Sequence, residues 1–305
     1  MNKATADKGL VAIVAALGAN IGVALCKVIA FVFTRSSSML AEAVHSFADS
    51  INEVLLLVGS RAAARKATHE HPFGHARNRY VFSFVVAILL FFGSGAFAVW
   101  EGVKKLEAPA PIQHPTWALA VLAIALVLEG LALRTTTKRS AEAHGEVSFR
   151  TFVLHARRTP ELLVVLLEDL GAIIGLLLAA AGVIAAVATR DGRYDGLATL
   201  AIGGLMIAIS LVLAARTRSL LVGEAAQPNV AASIEHALCD ATIVRVASLR
   251  TQHLGPDHLL IAARVAVRSN ATAPAITDAI AHAKERVRDA VGMDSVIYIE
   301  PELAR

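Results

Sequence analysis

The sequence predicts an α-helical membrane protein of six spans followed by a small α+β cytoplasmic domain. Of its 305 residues 56% are hydrophobic and only 18% are charged, against roughly a quarter charged in soluble domains, and the mean hydropathy is +0.60. Six stretches, at about 10–34, 38–62, 80–106, 116–136, 161–188 and 195–215, are each apolar over the ~20 residues that a helix needs to cross ~30 Å of hydrocarbon. After about residue 219 this character ends and soluble patterning begins.

The first stretch is too long for a cleavable signal peptide, and its end runs into Phe31-Val-Phe-Thr-Arg rather than a cleavage-site pattern, so it reads as the first span. Basic residues set the orientation. If six spans alternate, Lys3, Lys8, Arg61, Arg65, Lys66, Arg77, Arg79, Lys138, Arg139, Arg150, Arg157, Arg158, Arg216 and Arg218 share one side. The other side receives only Arg35, Lys104, Lys105, Arg190 and Arg193. Both termini are therefore expected in the cytoplasm, across a bacterial-type inner (plasma) membrane. The same bias accounts for a pI near 9.3 without invoking nucleic acid. Two cysteines, Cys26 and Cys239, exclude a disulfide framework, and each is expected as a small buried residue. The polar, basic loop at about 137–160 is expected to hold a short helix ahead of Thr159-Pro160.

The predicted domains are a six-helix membrane domain over 1–218, a linker over 219–228 and a cytoplasmic α+β tail over 229–305. In the tail, residues 229–240 suit a helix, and Thr242–Gln252 and His258–Val267 alternate as strands around a Gly255-Pro256-Asp257 turn. Ile276, Ile280, Ala283, Val287 and Val291 recur at helical spacing, and Asp294–Glu300 reads as a last strand. This α-β-β-α-β order implies a ferredoxin-like sandwich, expected as an antiparallel sheet with helices on one face. Its core is small for independent stability, so pairing of two copies through the tail is expected.

Against this apolar background certain ionisable residues stand out. His45 and Asp49 are four apart, on one helix face one turn from each other, the geometry of a two-ligand clip. An ionisable group at the bilayer centre costs about 2.5–3.5 kcal/mol on insertion scales and usually faces a cavity or a partner. Imidazole with carboxylate suits zinc and its borderline neighbours; hydrogen bonding between helices is the alternative use. Partners from another helix are offered by Glu168 and Asp169 in the fifth span. Adjacent residues are about 100° apart on a helix, which favours Asp169 as ligand and Glu168 as a supporting or alternate one. Asn52 and Glu53, and Asn20 in the first span, extend the polar stripe or serve as helix-to-helix bonds. Metal loading needs neutral imidazole and ionised carboxylate, so such a site can exchange metal for protons. A second cluster, His69, Glu70, His71 and His75 in the loop after the second span, reads equally as a peripheral metal site or as a turn shaped by Pro72 and Gly74. No His-Glu-x-x-His occurs, and no nucleophile and base set appears in the spans, so an enzyme is not expected.

Ser36-Ser-Ser-Met-Leu-Ala-Glu-Ala-Val-His-Ser-Phe-Ala-Asp-Ser50 and His71-Pro-Phe-Gly-His75 resemble the second-span and following-loop signatures of the cation diffusion facilitator family. The resemblance runs over nearly the whole chain. It implies a homodimer in a lipid bilayer that exports a divalent metal by proton antiport, with one site per protomer built from the second and fifth spans. His45 and Asp49 match the family's first metal pair; Asp169 matches the second member of the other pair, whose first member is replaced by Val165. Pro160-Glu-Leu-Leu-Val-Val-Leu-Leu-Glu-Asp169 and Ser219-Leu-Leu-Val-Gly-Glu224 resemble the divergent branch that includes the mitochondrial zinc transporter of animals, with Glu168 or water supplying what Val165 cannot. His71 and His75, with Glu70 or His69, match a peripheral zinc position of some members. In the tail, Ala263, Tyr298 and Glu300 stand where many members bind metal, although His253, Asp257 and His258 are available. The substrate implied is Zn²⁺, with Co²⁺, Fe²⁺, Mn²⁺ and Cd²⁺ as further candidates and protons as counter-ion. The alternative is a membrane metal sensor or binding protein without transport.

Overall fold

The computed structural model describes residues 3–144 and 160–304, so the helix expected before Thr159 lies outside the described residues. Two compact units form, one from residues up to Ser60 with Val81–Thr217, the other from Arg61–Tyr80 with the chain from Arg218 onward.

The first unit is helical. Helices α1 (Lys3–Thr34) and α2 (Ser37–Ala63) are followed by α3 (Asn78–Leu89), which continues through a π-helical turn (Leu90–Ala96) into α4 (Phe97–Glu107). Then come α5 (Pro115–His144), α6 (Pro160–Thr189) and α7 (Arg193–Val222). Among the described residues, four helices are long and apolar enough to cross a membrane: Asn78–Glu107, Pro115–Thr135, Leu162–Thr189 and Arg193–Val222. The apolar part of α1, Asn20–Thr34, is shorter. Helix α2 falls outside that group because Glu42, His45, Asp49 and Glu53 interrupt its apolar run.

Met39, Val86, Leu90, Leu122, Leu176, Ile202 and Met206 form the core of this unit. Leu25, Ile29 and Phe33 on α1 and Ile124, Val127 and Leu131 on α5 point outward and are exposed. In water such a surface would drive association; on α5, which is long and apolar enough to cross a membrane, it is the surface that hydrocarbon would wet. Cys26 lies on it, contrary to the expected burial, because the inward face of α1 is Ala24, Lys27 and Ala30. Cys239, at the end of a tail helix, is exposed as well.

Close packing of α7 against the third apolar segment rests on glycine. A Cβ on Gly203 would lie 2.7 Å from Val99 N, and one on Gly102 would lie 2.9 Å from Leu200 N. Small residues at such positions let two backbones approach, which maximises dispersion contacts where lipid offers no hydrophobic drive between helices.

At one end of the bundle the α2 N-terminus is capped from another helix. Asp195, in the first turn of α7 and fully buried, accepts hydrogen bonds from Ser37 N at 2.7 Å, Ser38 N at 3.3 Å and Ser36 Oγ at 2.8 Å. The hydroxyls of Ser37 and Ser38 also donate to it. A carboxylate at these orphan N–H groups satisfies donors and meets the positive end of the helix dipole. Lys105 Nζ lies 3.8 Å from Asp195 and donates to Arg35 O at 3.1 Å, the carbonyl just past α1.

In the second unit, α7 ends at Val222 and the connection 223–227 leads to α8 (Pro228–Leu238). Strand β1 (Ile243–Gly255) pairs antiparallel with β2 (His258–Val267), and α9 (Ala273–Val291) leads to β3 (Asp294–Leu303). The sheet order is β1-β2-β3, but β3 runs parallel to β2, so the sheet is mixed and not antiparallel. The reason is the connection: α9 carries the chain back along the sheet, as a parallel neighbour requires, whereas a tight turn joins β1 to β2. Ile234, Leu238, Leu259, Ile261, Val265, Ala283 and Val287 fill the core. Ahead of β1, partial burial tends to raise the Asp240 carboxyl, but the amides of Ile243 and Thr242 and the Arg286 guanidinium outweigh it and hold the group below its ordinary value.

Candidate metal centre

Helix α2 carries a polar ladder whose rungs meet α1, the π-helical turn and α6. Lys27 of α1, with no exposed side-chain surface, donates to Glu42 Oε2 at 3.1 Å and to Ser46 Oγ at 2.7 Å. Glu42 is equally buried, and its Oε1 has no hydrogen-bond partner. It fits because Gly175 of α6 stands opposite: a Cβ there would come within 2.5 Å of that oxygen.

His45, 1% exposed, places Nδ1 3.3 Å from Ser94 Oγ in the π-helical turn. Such turns add a residue to the helix and recur at functional sites; here the turn presents Ser94 to the imidazole. His45 Nε2 faces Asp49 Oδ2 at 3.5 Å but makes no hydrogen bond, and Asp49 Oδ1 is buried without one. One turn further, Asn52 Nδ2 donates to Glu168 Oε1 at 2.6 Å, and Asn20 Nδ2 donates to Glu53 Oε1 at 2.7 Å.

From these rungs Asn20, Ser46, Asp49, Glu53 and Glu168 line a cavity of about 290 Å³, together with Glu129, Asp169 and Val165. Both acids of the α6 pair therefore reach one cavity, although their angular separation favoured Asp169 alone; the cavity is wide enough to be walled from two directions. Val165 presents an apolar side chain beside them. Among the described residues, no three His, Cys, Asp or Glu side chains stand close enough together to hold an ion directly. Of the residues singled out from sequence, Asp49, Glu168 and Asp169 share a chamber rather than a closed cage, and His45 stands behind Asp49 without being among the lining residues. Sequence reading passed over Lys27, Glu42 and Glu129, yet each is a charged residue within an otherwise apolar run, the signal that marks intramembrane function.

In the loop, His69, Glu70 and His71 are exposed and His75 is half-buried. The His71 and His75 rings lie 4.5 Å apart, and Gly74, at φ +81°, makes the turn between them. In the tail, His253 is buried within β1 and its N–H donates to Glu224 O at 2.9 Å. His258 Nε2 lies 3.6 Å from Asp294 Oδ2 at the surface.

The cation efflux transmembrane domain profile matches residues 13–222. The proton-coupled zinc antiporter SLC30A9, mitochondrial, of Xenopus laevis is 35% identical over 206 residues, 67% of this chain and 36% of that protein. Its Homo sapiens counterpart is 33% identical over the same shares. The cation-efflux pump FieF of Shewanella oneidensis is 29% identical over 129 residues, 42% of this chain and 43% of the pump. The chain spans little more than a third of the length of the SLC30A9 relatives it matches. With the profile covering all the described spanning helices and taking in the motifs of α2, the chain belongs to the cation efflux, or cation diffusion facilitator, family and resembles its mitochondrial zinc antiporter branch.

Proposed function

We propose that this protein is a divalent metal efflux transporter, with zinc as its foremost substrate, which exchanges metal for protons by alternating access. The observation that carries the reading is the carboxylate-lined cavity beside His45 and Asp49 inside a membrane bundle. Desolvated acids of this density are stable only when cations or protons accompany them, and a site that takes either can exchange one for the other. Two relatives, a proton-coupled zinc antiporter and a cation-efflux pump, favour the same reading.

In this reading His45, Asp49 and Asp169 contact the ion, and Glu168, held by Asn52, is the alternate ligand. Six spans place both termini in the cytoplasm of a bacterial-type inner membrane, over the domain limits predicted from sequence. The tail pairs two copies, and His69, Glu70, His71 and His75 form a peripheral site. The chain performs transport rather than chemistry on a substrate. The Lys27 and Asp195 contacts tie α1 and α7 to the N-terminal half of α2, and alternating access requires the helices around the cavity to rearrange so that it faces each side in turn.

The test is flux in proteoliposomes under an imposed pH gradient with Zn²⁺, Co²⁺, Fe²⁺, Mn²⁺ and Cd²⁺. Metal-dependent proton counterflow, lost in His45→Ala/Asp49→Ala and in Asp169→Ala, is expected, with an altered metal preference in Val165→His. Normal zinc flux in Asp169→Ala would remove α6 from the site. Metal binding by a folded dimer without flux of any metal would replace transport by the sensor reading.

A further inference from the structure

The cavity receives Asp49 and Glu53 from α2 and Glu168 and Asp169 from α6, but its fifth carboxylate, Glu129, comes from α5. No family motif in this sequence reaches that helix. Among the described residues that line the cavity there is no lysine or arginine, and the nearby cation of the ladder, Lys27, is engaged by Glu42 and Ser46. Glu129 is close enough that its charge acts on Asp49, His45 and Asp169. His45, almost wholly buried, directs an Nε2 without a hydrogen-bond partner toward Asp49. A cation is what would satisfy that nitrogen and balance these acids together.

We infer that Glu129 is a metal-contacting, specificity-determining residue: from α5 it supplies the carboxylate that Val165 denies the ion from α6. The inference rests on the transport-site reading above. Its consequence is a mostly oxygen environment with a single imidazole. Oxygen ligands suit harder ions, so such a site admits Mn²⁺ beside Zn²⁺, whereas a second histidine would favour borderline and softer ions. The volume agrees: at ~30 Å³ for each water, a cavity of about 290 Å³ accepts an ion with much of its hydration shell, which carboxylates can then replace in part.

The experiment measures Mn²⁺ binding to the purified full-length chain in detergent, by the electron paramagnetic resonance signal of free Mn²⁺, with Zn²⁺ as competitor. Wild type, Glu129→Gln, Glu129→Gln/Val165→Asp and Asp49→Asn are compared at equal monodispersity. Glu129→Gln is expected to weaken Mn²⁺ by about tenfold or more, the scale of a disturbed metal site, and Zn²⁺ by clearly less. Moving the carboxylate to α6 in the double variant is expected to restore Mn²⁺, which a merely structural role would not do. An unchanged Mn²⁺ to Zn²⁺ ratio in Glu129→Gln overturns the inference, as does equal loss of both metals with no recovery in the double variant. Loss of binding in Asp49→Asn beside an unaffected Glu129→Gln removes only Glu129. Full binding in Asp49→Asn removes the site itself, and this inference with it.

Discussion

Replacing Lys27 with methionine isolates the most enclosed charge pair in the bundle. Lys27 Nζ and Glu42 Oε2 are 3.1 Å apart with no exposed side-chain surface on either residue. At an effective dielectric of about 20 their attraction is about 5 kcal/mol, most of it offset by desolvation of the two ions. Lys27→Met removes the attraction and leaves the desolvation of Glu42 uncompensated. Glu42 has little recourse: Oε1 makes no hydrogen bond, and the carboxylate sits against Gly175. The expected loss is ~3–5 kcal/mol, as for other buried pairs broken on one side. At ~2–4 °C for each kcal/mol, thermal unfolding in detergent should shift downward by on the order of 10 °C. Lys27→Met/Glu42→Leu removes both charges and should return to within about 1 kcal/mol of wild type. A single variant as stable as wild type, or a double variant as damaged as the single, would refute the reasoning.

Two further outcomes follow from the helix contacts. Asp195→Asn replaces a carboxylate acceptor of the Ser37 and Ser38 amides by a neutral amide, and about 1–3 kcal/mol of local stability should go with it; hydrogen exchange should quicken at the first turn of α2, and unchanged protection there would remove Asp195 as its cap. Gly203→Ala places a Cβ 2.7 Å from Val99 N and should cost about 1–3 kcal/mol in thermal unfolding. Gly204→Ala, with no atom within 4 Å, should cost nearly nothing, and equal effects at the two positions would refute the close-approach argument.

Much of the architecture was legible because the bilayer restricts the choices. A run of about 20 apolar residues has only one economical backbone, the helix, and the shift to alternating patterns after residue 219 marks the tail without ambiguity. The His45 and Asp49 clip was legible for the same reason, since helical spacing alone puts the two on one face. What an apolar background hides is which way a charged residue faces. Lys27, Glu42 and Glu129 are as plain in the sequence as His45, but only the neighbouring helices decide that the first two neutralise each other and the third turns to the cavity.

The sequence by itself determined four of the six expected spanning helices, the tail's element order and the polar face of α2, because periodicity and burial cost are local properties of a chain. Tertiary structure decided the parallel pairing of β3, which depends on where α9 returns the chain. It also decided the capping of α2 by Asp195 and the meeting of α2, α5 and α6 acids in one chamber. Those contacts join residues far apart in the chain, and no spacing rule reaches across such a distance: Asp195 meets Ser37 across 158 residues and Glu168 meets Asn52 across 116.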